Sequence, residues 1–353
     1  MSRPGGERPT SCVRVPAEWE PRESVWLTWP HNRDTWPTSG LPAARAAFAR
    51  FAAALTRYET VDLIVADAAT RTAASDAIAA AGGRLESIRF HRFATNDSWV
   101  RDTAPIWLVD PGGRRRATLW TFNAWGGKYP PWDEDAATGQ RIAEAAGDAV
   151  DVTGVVLEGG SVEFDGRGTV LTTRSCLLNA NRSPGRTAGQ MEAVLARWLG
   201  AREVVWLDAG IAGDDTDGHI DDIARFGPGG VVLTGISTNP EDPNEHRLRR
   251  NAEALADFCS RTGRTLVPLP MPQPLVVAGD PLPATYLNFL SGPRAIYVPS
   301  FGDRSDAEAA AVLGCVFADR DVISVNCRVL VEGLGGLHCL SAQMPERRRR
   351  PAR

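Results

Sequence analysis

Apolar residues recur at helical spacing in three segments of the chain. In residues 41–58 four apolar side chains repeat at i, i+3, i+4 and i+7, which places them on one face of a helix. Those four are Phe48, Phe51, Ala52 and Leu55. Residues 183–200 and 243–263 also show helical periodicity, and each segment ends at a glycine, a residue that commonly terminates helices. Three helices are therefore predicted.

Short runs rich in β-branched residues lie between the helical segments and predict strands. These runs are "VDLIVAD", "GTVLTT", "EVVWLD", "GGVVLTGI", "RAIYVPS" and "DVISVNC". Two "PGG" sequences, at 111–113 and 228–230, predict hairpin turns. Because predicted strands and helices alternate along the whole chain, the fold class is α/β. Strand–strand–helix–strand groups recur every several tens of residues, a spacing that suits a radial array of similar units.

The chain has 353 residues, 43% hydrophobic and 23% charged, which is an ordinary globular composition. No Gly/Ser linker divides it, so one catalytic domain is expected over residues 15–345. A flexible N-terminus (1–14) and a basic disordered tail (346–353) are expected on either side. The first residues lack the apolar core of a signal peptide, and no apolar run approaches the ~18 residues of a membrane span. A cytoplasmic protein is predicted.

The formal net charge of −4 favours a cationic ligand over nucleic acid. No nucleic-acid or membrane partner is expected, and a homo-oligomer is left open. The six cysteines form no CxxC pair, which gives no support to a zinc knuckle or a redox motif. One of them, Cys339, follows a glycine-rich run in "VEGLGGLHCLSAQMP". Two interpretations compete: an inert, buried thiol, or a nucleophile on a loop that substrate can approach.

Three segments are dense in reactive side chains: "TNDSWVRDTAPIW", "GDDTDGHIDDIARF" and the Cys339 loop. The aspartates of the second segment repel one another, and partial burial would raise the pKa of some of them. A positive partner should offset this charge, either a metal held through the H-x-D spacing or a cationic ligand. Only four further histidines are available for a dedicated metal site, so the ligand interpretation is preferred and no metal is predicted.

The combination of a thiol, a histidine and many carboxylates indicates a particular electrophile. Acyl transfer builds up a negative intermediate, which surplus carboxylates would oppose. A guanidinium is planar and stays protonated far above neutral pH. It can donate its N–H groups to two carboxylates in forked ion pairs. The sequence therefore predicts a team of one Cys, one His and two Asp that holds a guanidinium for attack by sulfur.

Long motifs also resemble a known family. "NDSWVRDTAPIW", "FNAWGGKYPPWDED", "LEGGSVEFDGRGTVLTTRSCLLNANRSPG", "DDTDGHIDD" and "GLGGLHCLSAQMP" are similar to the agmatine deiminase and bacterial-type peptidylarginine deiminase family of the guanidine-modifying superfamily. The resemblance covers roughly residues 15–345. It implies a pentein, a five-bladed α/β propeller of pseudo-fivefold ββαβ units around a central channel, and it implies no organic cofactor.

The resemblance also implies roles for individual residues. Cys339 matches the nucleophile, His219 the acid–base histidine, and Asp102 and Asp221 the two carboxylates that bind the guanidinium. Trp99 is expected to pack on the apolar stem of the substrate.

Three further positions are expected to bind substrate or to shape the channel. Asp215 matches the acidic residue that contacts the distal amine, although that residue is often Glu in the family. Glu158 is expected at the channel, where it would orient His219 or another group at the site. Trp125 has two equal interpretations, channel wall or core aromatic.

The predicted activity is that of a hydrolase acting on C–N bonds of amidines. The first choice is deimination of agmatine to N-carbamoylputrescine and ammonia through a Cys-bound thiouronium intermediate. The alternatives are a deiminase or amidinotransferase acting on arginine, peptidylarginine or another guanidine metabolite, and a non-catalytic guanidine-binding protein.

Overall fold

The structure, a computed structural model, describes residues 13–347. Most of the predicted flexible N-terminus and of the predicted basic tail lies outside this range, so both stay predictions. Among the helices of the described range, none combines the length and the apolar content that a membrane span requires.

Strands and helices alternate along residues 13–347, which confirms the α/β class. The strands are β1 (Arg22–Thr28), β2 (Val61–Val65), β3 (Ile88–Arg92), β4 (Ile106–Val109), β5 (Arg115–Thr121), β6 (Ala149–Val156), β7 (Val162–Phe164), β8 (Thr169–Thr173), β9 (Glu203–Leu207), β10 (Ala224–Gly227), β11 (Val231–Ile236), β12 (Thr265–Pro270), β13 (Val276–Val277), β14 (Asp280–Pro281), β15 (Leu290–Ser291), β16 (Ala295–Ser300), β17 (Asp321–Asn326) and β18 (Ser341–Pro345).

The helices are α1 (Gly40–Thr56), α2 (Ala68–Ala80), α3 (Val100–Thr103), α4 (Ala124–Gly127), α5 (Asp133–Ala146), α6 (Arg174–Leu177), α7 (Ala188–Leu199), α8 (Glu245–Thr262) and α9 (Asp306–Val316). The three predicted helices are α1, α7 and α8. The four residues predicted on one face of α1 are all buried. Gly200 and Gly263 end α7 and α8 in the left-handed conformation that a glycine adopts without strain, as predicted.

The same strand pattern occurs five times within residues 13–347. Two antiparallel strands are followed by a helix and by a third strand that pairs in parallel with the second, as in β4–β5–α5–β6. The sheets β7–β8–β9, β10–β11–β12 and β15–β16–β17 repeat this order with α7, α8 and α9 as the crossover helices. In the fifth sheet, β18 pairs with β1, and α1 connects β1 to β2, next to which β3 adds a further strand. The last strand of the chain thereby completes the first unit.

Five segments that contribute to one cluster, three of them the predicted reactive segments, occupy equivalent places in the five units. Each segment precedes the first strand of its unit, where the chain is irregular or forms a short helical turn. Asp102 precedes β4, Gly160 precedes β7, Asp221 precedes β10, Asn288 precedes β15, and Cys339 precedes β18. Residues separated by more than two hundred positions in sequence therefore come from one kind of loop.

Candidate active site

The glycine run before Cys339 lets the chain pack against two aromatic or polar side chains at very short range. A Cβ added at Gly335 would lie 2.4 Å from the ring of Trp99 and 3.0 Å from the Cβ of Cys339. At Gly336 it would lie 2.5 Å from the Oδ1 of Asn288. The loop carries few side chains because Trp99 and Asn288 fill that space.

The thiol of Cys339 is buried beside carboxylates. Its Sγ atom lies 3.8 Å from the Oδ2 of Asp221, and the Nδ2 of Asn288 donates to it over 3.1 Å. Burial raises the pKa of the Cys339 thiol well above its usual value, and the charges of Asp221, Asp222 and Asp102 raise it further. In the absence of a cation, the sulfur is therefore held as a neutral thiol.

Two neutral donors hold the buried carboxylate of Asp102. The indole Nε1 of Trp125 donates to Oδ2 over 2.9 Å, and the backbone N–H of Gly160 donates to Oδ1 over 2.9 Å. Trp125 reaches this position from a backbone with positive φ at four consecutive residues, 124–127. Trp125 is thus a buried aromatic that also lines the cavity, so the core position and the channel-wall position, between which the sequence did not decide, are the same place.

Gly160 is the point at which three of the predicted catalytic groups meet. A Cβ there would lie 2.5 Å from the Nδ1 of His219 and within 3.2 Å of carboxylate oxygens of Asp102 and Asp221. His219 Nδ1 itself lies 3.9 Å from Asp102 Oδ2. Together with the contact between Asp221 and Cys339, these distances bring the four predicted catalytic residues into one cluster.

The loop that carries His219 is fixed by hydrogen bonds to its backbone. The Oδ2 of Asp214 accepts from the backbone N–H of His219 over 3.0 Å, and Thr173 donates to the carbonyl of Gly218 over 2.6 Å. Burial lowers the pKa of His219, but the charges of Asp102, Glu158, Asp221 and Asp214 outweigh it, so the pKa lies above its usual value. His219 is therefore biased toward the protonated form.

A group of buried charges, which we call the floor network, lies behind the site. It consists of Glu18, Arg101, Glu163, Arg225 and His338. The two ring nitrogens of His338 contact Asp221 Oδ2 and Glu18 Oε2, each over 2.6 Å. Arg225 donates to Glu18 over 2.8 Å and lies 3.2 Å from Glu163. Since both ring nitrogens of His338 face carboxylates, its protonated form satisfies both contacts.

The floor network leaves one oxygen of Asp221 free. Burial opposes ionisation, yet the hydrogen bond and the charge of His338 hold the pKa of Asp221 below its usual value. The second oxygen, Oδ1, is buried and has no hydrogen-bond partner within residues 13–347. A buried carboxylate oxygen without a partner costs about 1–3 kcal/mol, which a ligand with an N–H donor would recover.

The pKa values of the other aspartates in the second reactive segment shift in different directions. The crowding of charges predicted that some of them would be raised. Burial raises the pKa of Asp214 and raises that of Asp222 well above its usual value, the latter also because Asp221 lies beside it. Asp217 has a lowered pKa in spite of its partial burial, because Asn181, Lys128 and Arg182 donate to it.

Glu158 lies behind His219 and is completely buried. Its Oε1 accepts from Arg182 Nε over 2.8 Å, and Arg182 also pairs with Asp217. Burial raises the pKa of Glu158 in spite of Arg182. The structure thus places Glu158 next to the histidine and behind the cavity surface, and its expected contact with substrate stays a prediction.

The candidate site opens into a cavity of about 830 Å³, within the usual size range of small-molecule pockets. Trp99, Asp102, Trp125 and Cys339 line its inner part. Asp215 lies toward the mouth, where Tyr129 donates to its Oδ2 over 2.6 Å and Lys128 Nζ lies 3.2 Å from its Oδ1. The carboxylate expected to bind the substrate tail is therefore already paired, although 44% of its side chain stays exposed.

Two groups of potential metal ligands occur within the described part of the chain. They are Glu158, Cys176 and His219, and Asp221, Asp222 and Cys339, with donor atoms within 4.8 Å of one another. Each group contains a predicted catalytic residue, so a metal ion there would compete with that role. The expectation of a metal-free site stays a prediction.

Several residues of the site had no assigned role in the sequence. Gly160 lies within a resembling motif, but its tight approach to three side chains is visible only in three dimensions. Glu18 and Asn288 are single polar residues far in sequence from the motifs that they contact, and Arg182 lies 24 residues after Glu158 within one resembling motif. The one available signal for Glu18 is its position inside the resembling segment near the N-terminus.

Known proteins match this chain over nearly its whole length. The family model for Porphyromonas-type peptidyl-arginine deiminases matches residues 14–345. An agmatine deiminase of Pseudomonas aeruginosa (strain LESB58) is 37% identical over 376 aligned residues, which cover 99% of this chain and 100% of that protein. One of Stutzerimonas stutzeri (strain A1501) is 38% identical over 358 residues, covering 94% and 95%.

Solved structures give the same result. An agmatine deiminase of Enterococcus faecalis superposes with a TM-score of 0.88 at 31% identity, covering 95% of this chain and 96% of that one. A serine variant of the C. jejuni agmatine deiminase with substrate bound superposes with a TM-score of 0.87 at 30% identity, covering 96% and 97%.

Proposed function

This chain belongs to the Porphyromonas-type peptidyl-arginine deiminase family, and we propose that it hydrolyses agmatine to N-carbamoylputrescine and ammonia. The agmatine deiminases that it resembles over their full length support this substrate. The activity is that of a hydrolase acting on a C–N bond of an amidine.

The observation that carries the proposal is that the neutral thiol of Cys339 lies next to a carboxylate, Asp221, that has one oxygen without a hydrogen-bond donor in residues 13–347. Cys339 Sγ lies 3.8 Å from Asp221, whose Oδ1 has no hydrogen-bond partner among the described residues. A guanidinium would supply N–H donors to that oxygen and would stabilise the thiolate through its charge. One ligand chemistry thereby satisfies both groups.

In the proposed binding step, Asp102 and Asp221 hold the guanidinium as forked ion pairs. Trp125 and Gly160 orient Asp102, and His338 orients Asp221, so the two carboxylates are rigid before substrate arrives. Trp99 packs against the butyl stem.

In the proposed first chemical step, Cys339 releases its proton to solvent, because the cation lowers the pKa of the thiol. The sulfur bonds to the central carbon of the guanidinium, and His219 donates a proton to the departing nitrogen. The C–N bond breaks, ammonia leaves, and a thiouronium remains on Cys339. The raised pKa of His219 supports its role as the acid.

In the proposed second step, neutral His219 accepts a proton from water, and the hydroxide equivalent adds to the thiouronium carbon. The C–S bond then breaks with its electron pair on sulfur, the added hydroxyl releases its proton to solvent, and the ureido product leaves while Cys339 returns as the thiolate. Glu158, adjacent to His219, stabilises the imidazolium in both steps.

We further propose that the five sheets are the blades of a pentein propeller. Each of the five ββαβ units contributes the segment before its first strand, and these segments carry the residues that meet at Cys339 and Asp221. A radial arrangement explains how five equivalent loops reach one site.

Turnover of agmatine by wild type and by Cys339→Ser tests the proposal. Wild type is expected to release equimolar ammonia and N-carbamoylputrescine, and the serine variant to lose at least about 10³-fold in kcat, since an alcohol is a far weaker nucleophile than a thiolate. Arginine, a peptidylarginine and an acceptor amine are run in parallel, because amidino transfer would yield a new guanidine and no ammonia. A serine variant with a substantial fraction of wild-type turnover would exclude Cys339 as the nucleophile.

A further inference from the structure

The mouth of the cavity holds the single lysine of the chain. Its composition includes 38 arginines and one lysine, Lys128. Lys128 lines the cavity together with Tyr129 and Asp215. All the other Lys/Arg positions of the chain are arginine, so position 128 is the one place where this sequence has lysine.

The contacts of Lys128 explain why arginine does not suit the position. The Nζ atom lies 2.5 Å from the carbonyl oxygen of Asp215, 3.2 Å from its Oδ1 and 3.0 Å from the Oδ1 of Asp217. A compact ammonium with three rotatable N–H donors matches three oxygens that converge on one point. A guanidinium spreads its donors over a rigid plane and does not.

The pair of Lys128 and Asp215 presents both signs of charge to the cavity. The side chain of Lys128 is 28% exposed and that of Asp215 is 44% exposed. A substrate ammonium that binds Asp215 Oδ1 replaces the longest of the three contacts of Lys128. The N–H released in this way then points to the place immediately beside the substrate's ammonium.

The two substrate tails under consideration differ in what they offer at that place. Agmatine has only hydrogen on the carbon that carries its amine, so the released N–H of Lys128 turns to water. An α-amino acid carries a carboxylate on the same carbon. Its ammonium pairs with Asp215 and its carboxylate with Lys128, so each charge at the mouth keeps an opposite partner.

We propose that Lys128 is a specificity-determining residue that allows this site to deiminate guanidines with an α-amino acid head, of which L-arginine is the simplest, beside agmatine. This inference rests on the proposed function, because the chemistry at Cys339 is the same for both substrates.

The charge of the remaining cavity wall sets the order of preference. Carboxylates of Asp34, Asp280 and Glu332 also line the cavity. A dication such as agmatine gains more from this field than arginine, whose net charge is +1. Agmatine is therefore the better substrate and arginine the slower one.

The test compares kcat/KM for agmatine and L-arginine in wild type and in Lys128→Met, a neutral side chain of similar length. Wild type is expected to deiminate both. The ratio of kcat/KM for arginine to that for agmatine is expected to fall by roughly tenfold or more in the variant, since a hydrogen bond to a charged group is lost only with arginine. Lys128→Arg serves as the matched control that keeps the charge, and its ratio should lie between those of wild type and Lys128→Met.

The outcomes separate this inference from the proposed function. Turnover of neither substrate by folded protein contradicts the proposed function. Turnover of agmatine alone, or an unchanged ratio in Lys128→Met, leaves the proposed function intact and overturns the role of Lys128.

A second measurement does not depend on the folding of a Lys128 variant. Incorporation of lysine labelled with ¹⁵N at Nζ gives Cys339→Ser a single labelled side-chain signal, that of Lys128, and leaves its three N–H donors intact. L-Arginine is expected to shift this signal, and a signal that stays unmoved at saturating arginine overturns the inference.

Discussion

Two groups of carboxylates lie on either side of the site and respond to burial in opposite ways. In the floor network, Arg225, His338 and Arg101 outweigh burial and hold the pKa of Glu18 well below its usual value. On the cavity wall, Asp135 is also buried, but its direct donors are the backbone N–H groups of residues 96 and 97. Burial there raises the pKa of Asp135 to about 7.

The contrast between Glu18, which has three cations around it, and Asp135, whose direct donors are backbone N–H groups, shows that the number of neighbouring cations decides which of these two buried carboxylates stays charged. In the floor network Glu18 keeps its charge, whereas burial raises the pKa of Glu163 in spite of Arg225. On the wall, Asp135 changes charge near neutral pH. Asp102 differs from both in its surroundings, because two neutral donors, Trp125 and Gly160, hold it beside the predicted catalytic histidine.

The largest effect on stability is expected when the floor network loses Arg225. Arg225→Met would leave Glu163 buried without its ion-pair partner and would remove one of the three cations around Glu18, and breaking a buried ion pair typically costs about 3–5 kcal/mol of the free energy of unfolding. Urea denaturation at pH 7 measures it. Arg249→Met is the matched control, since Arg249 is half-exposed and its ion pairs with Glu245 and Glu253 contribute about 0.5 kcal/mol or less. Equal losses in the two variants would show that the floor charges are not stabilising as a group.

The wall is tested by the pH dependence of stability. The folded pKa of Asp135, about 7, lies above its ordinary value of 3.8. The folded state therefore binds the proton more tightly, and the contribution of Asp135 to stability increases as pH falls through 7 toward 4. Between pH 8 and pH 5 this amounts to at most about 2.5 kcal/mol.

Asp135→Asn should remove that dependence. Urea unfolding of wild type and variant at several pH values between 5 and 8 gives the difference in unfolding free energy, which is expected to grow in favour of wild type as pH falls. Curves that remain parallel over this range would mean that Asp135 is ionised throughout.

The smallest of the three effects concerns the carboxylate with neutral donors. Trp125→Phe keeps an aromatic ring but removes the N–H that Asp102 accepts, so kcat/KM for agmatine should fall roughly tenfold. Trp120→Phe is the control, because Trp120 donates to Thr118 and makes no contact with the cluster. A loss of similar size in both variants would assign the effect to packing.

Much of the fold follows from local patterns in the sequence. The periodic apolar face of α1, the glycines after α7 and α8 and the β-branched strands each depend on short-range physics, and all were predicted. The short strands β7 and β15 were not predicted, because two or three residues carry no periodicity. The longer strands β1, β5, β6 and β12 and the helices α2, α5 and α9 were not predicted either.

For the site, too, local features were predictable from the sequence and long-range contacts were not. The motifs around Asp102, His219 and Cys339 identify reactive residues because each motif is compact. The interaction of Glu18 with His338 joins positions 320 residues apart, and a lone buried glutamate gives no local pattern from which such a partner can be inferred. The pairing of Asp215 with Lys128 and Tyr129 likewise depends on two loops meeting at the mouth of the cavity.

The run of positive φ angles at residues 124–127 has a thermodynamic consequence. Ala124 and Trp125 pay for this conformation when the chain folds, at about 1–3 kcal/mol each, because other parts of the structure enforce it. The receptor for the planar cation is consequently complete before any ligand enters. Association then orders little of the protein, so most of the attraction between ligand and carboxylates remains available as affinity.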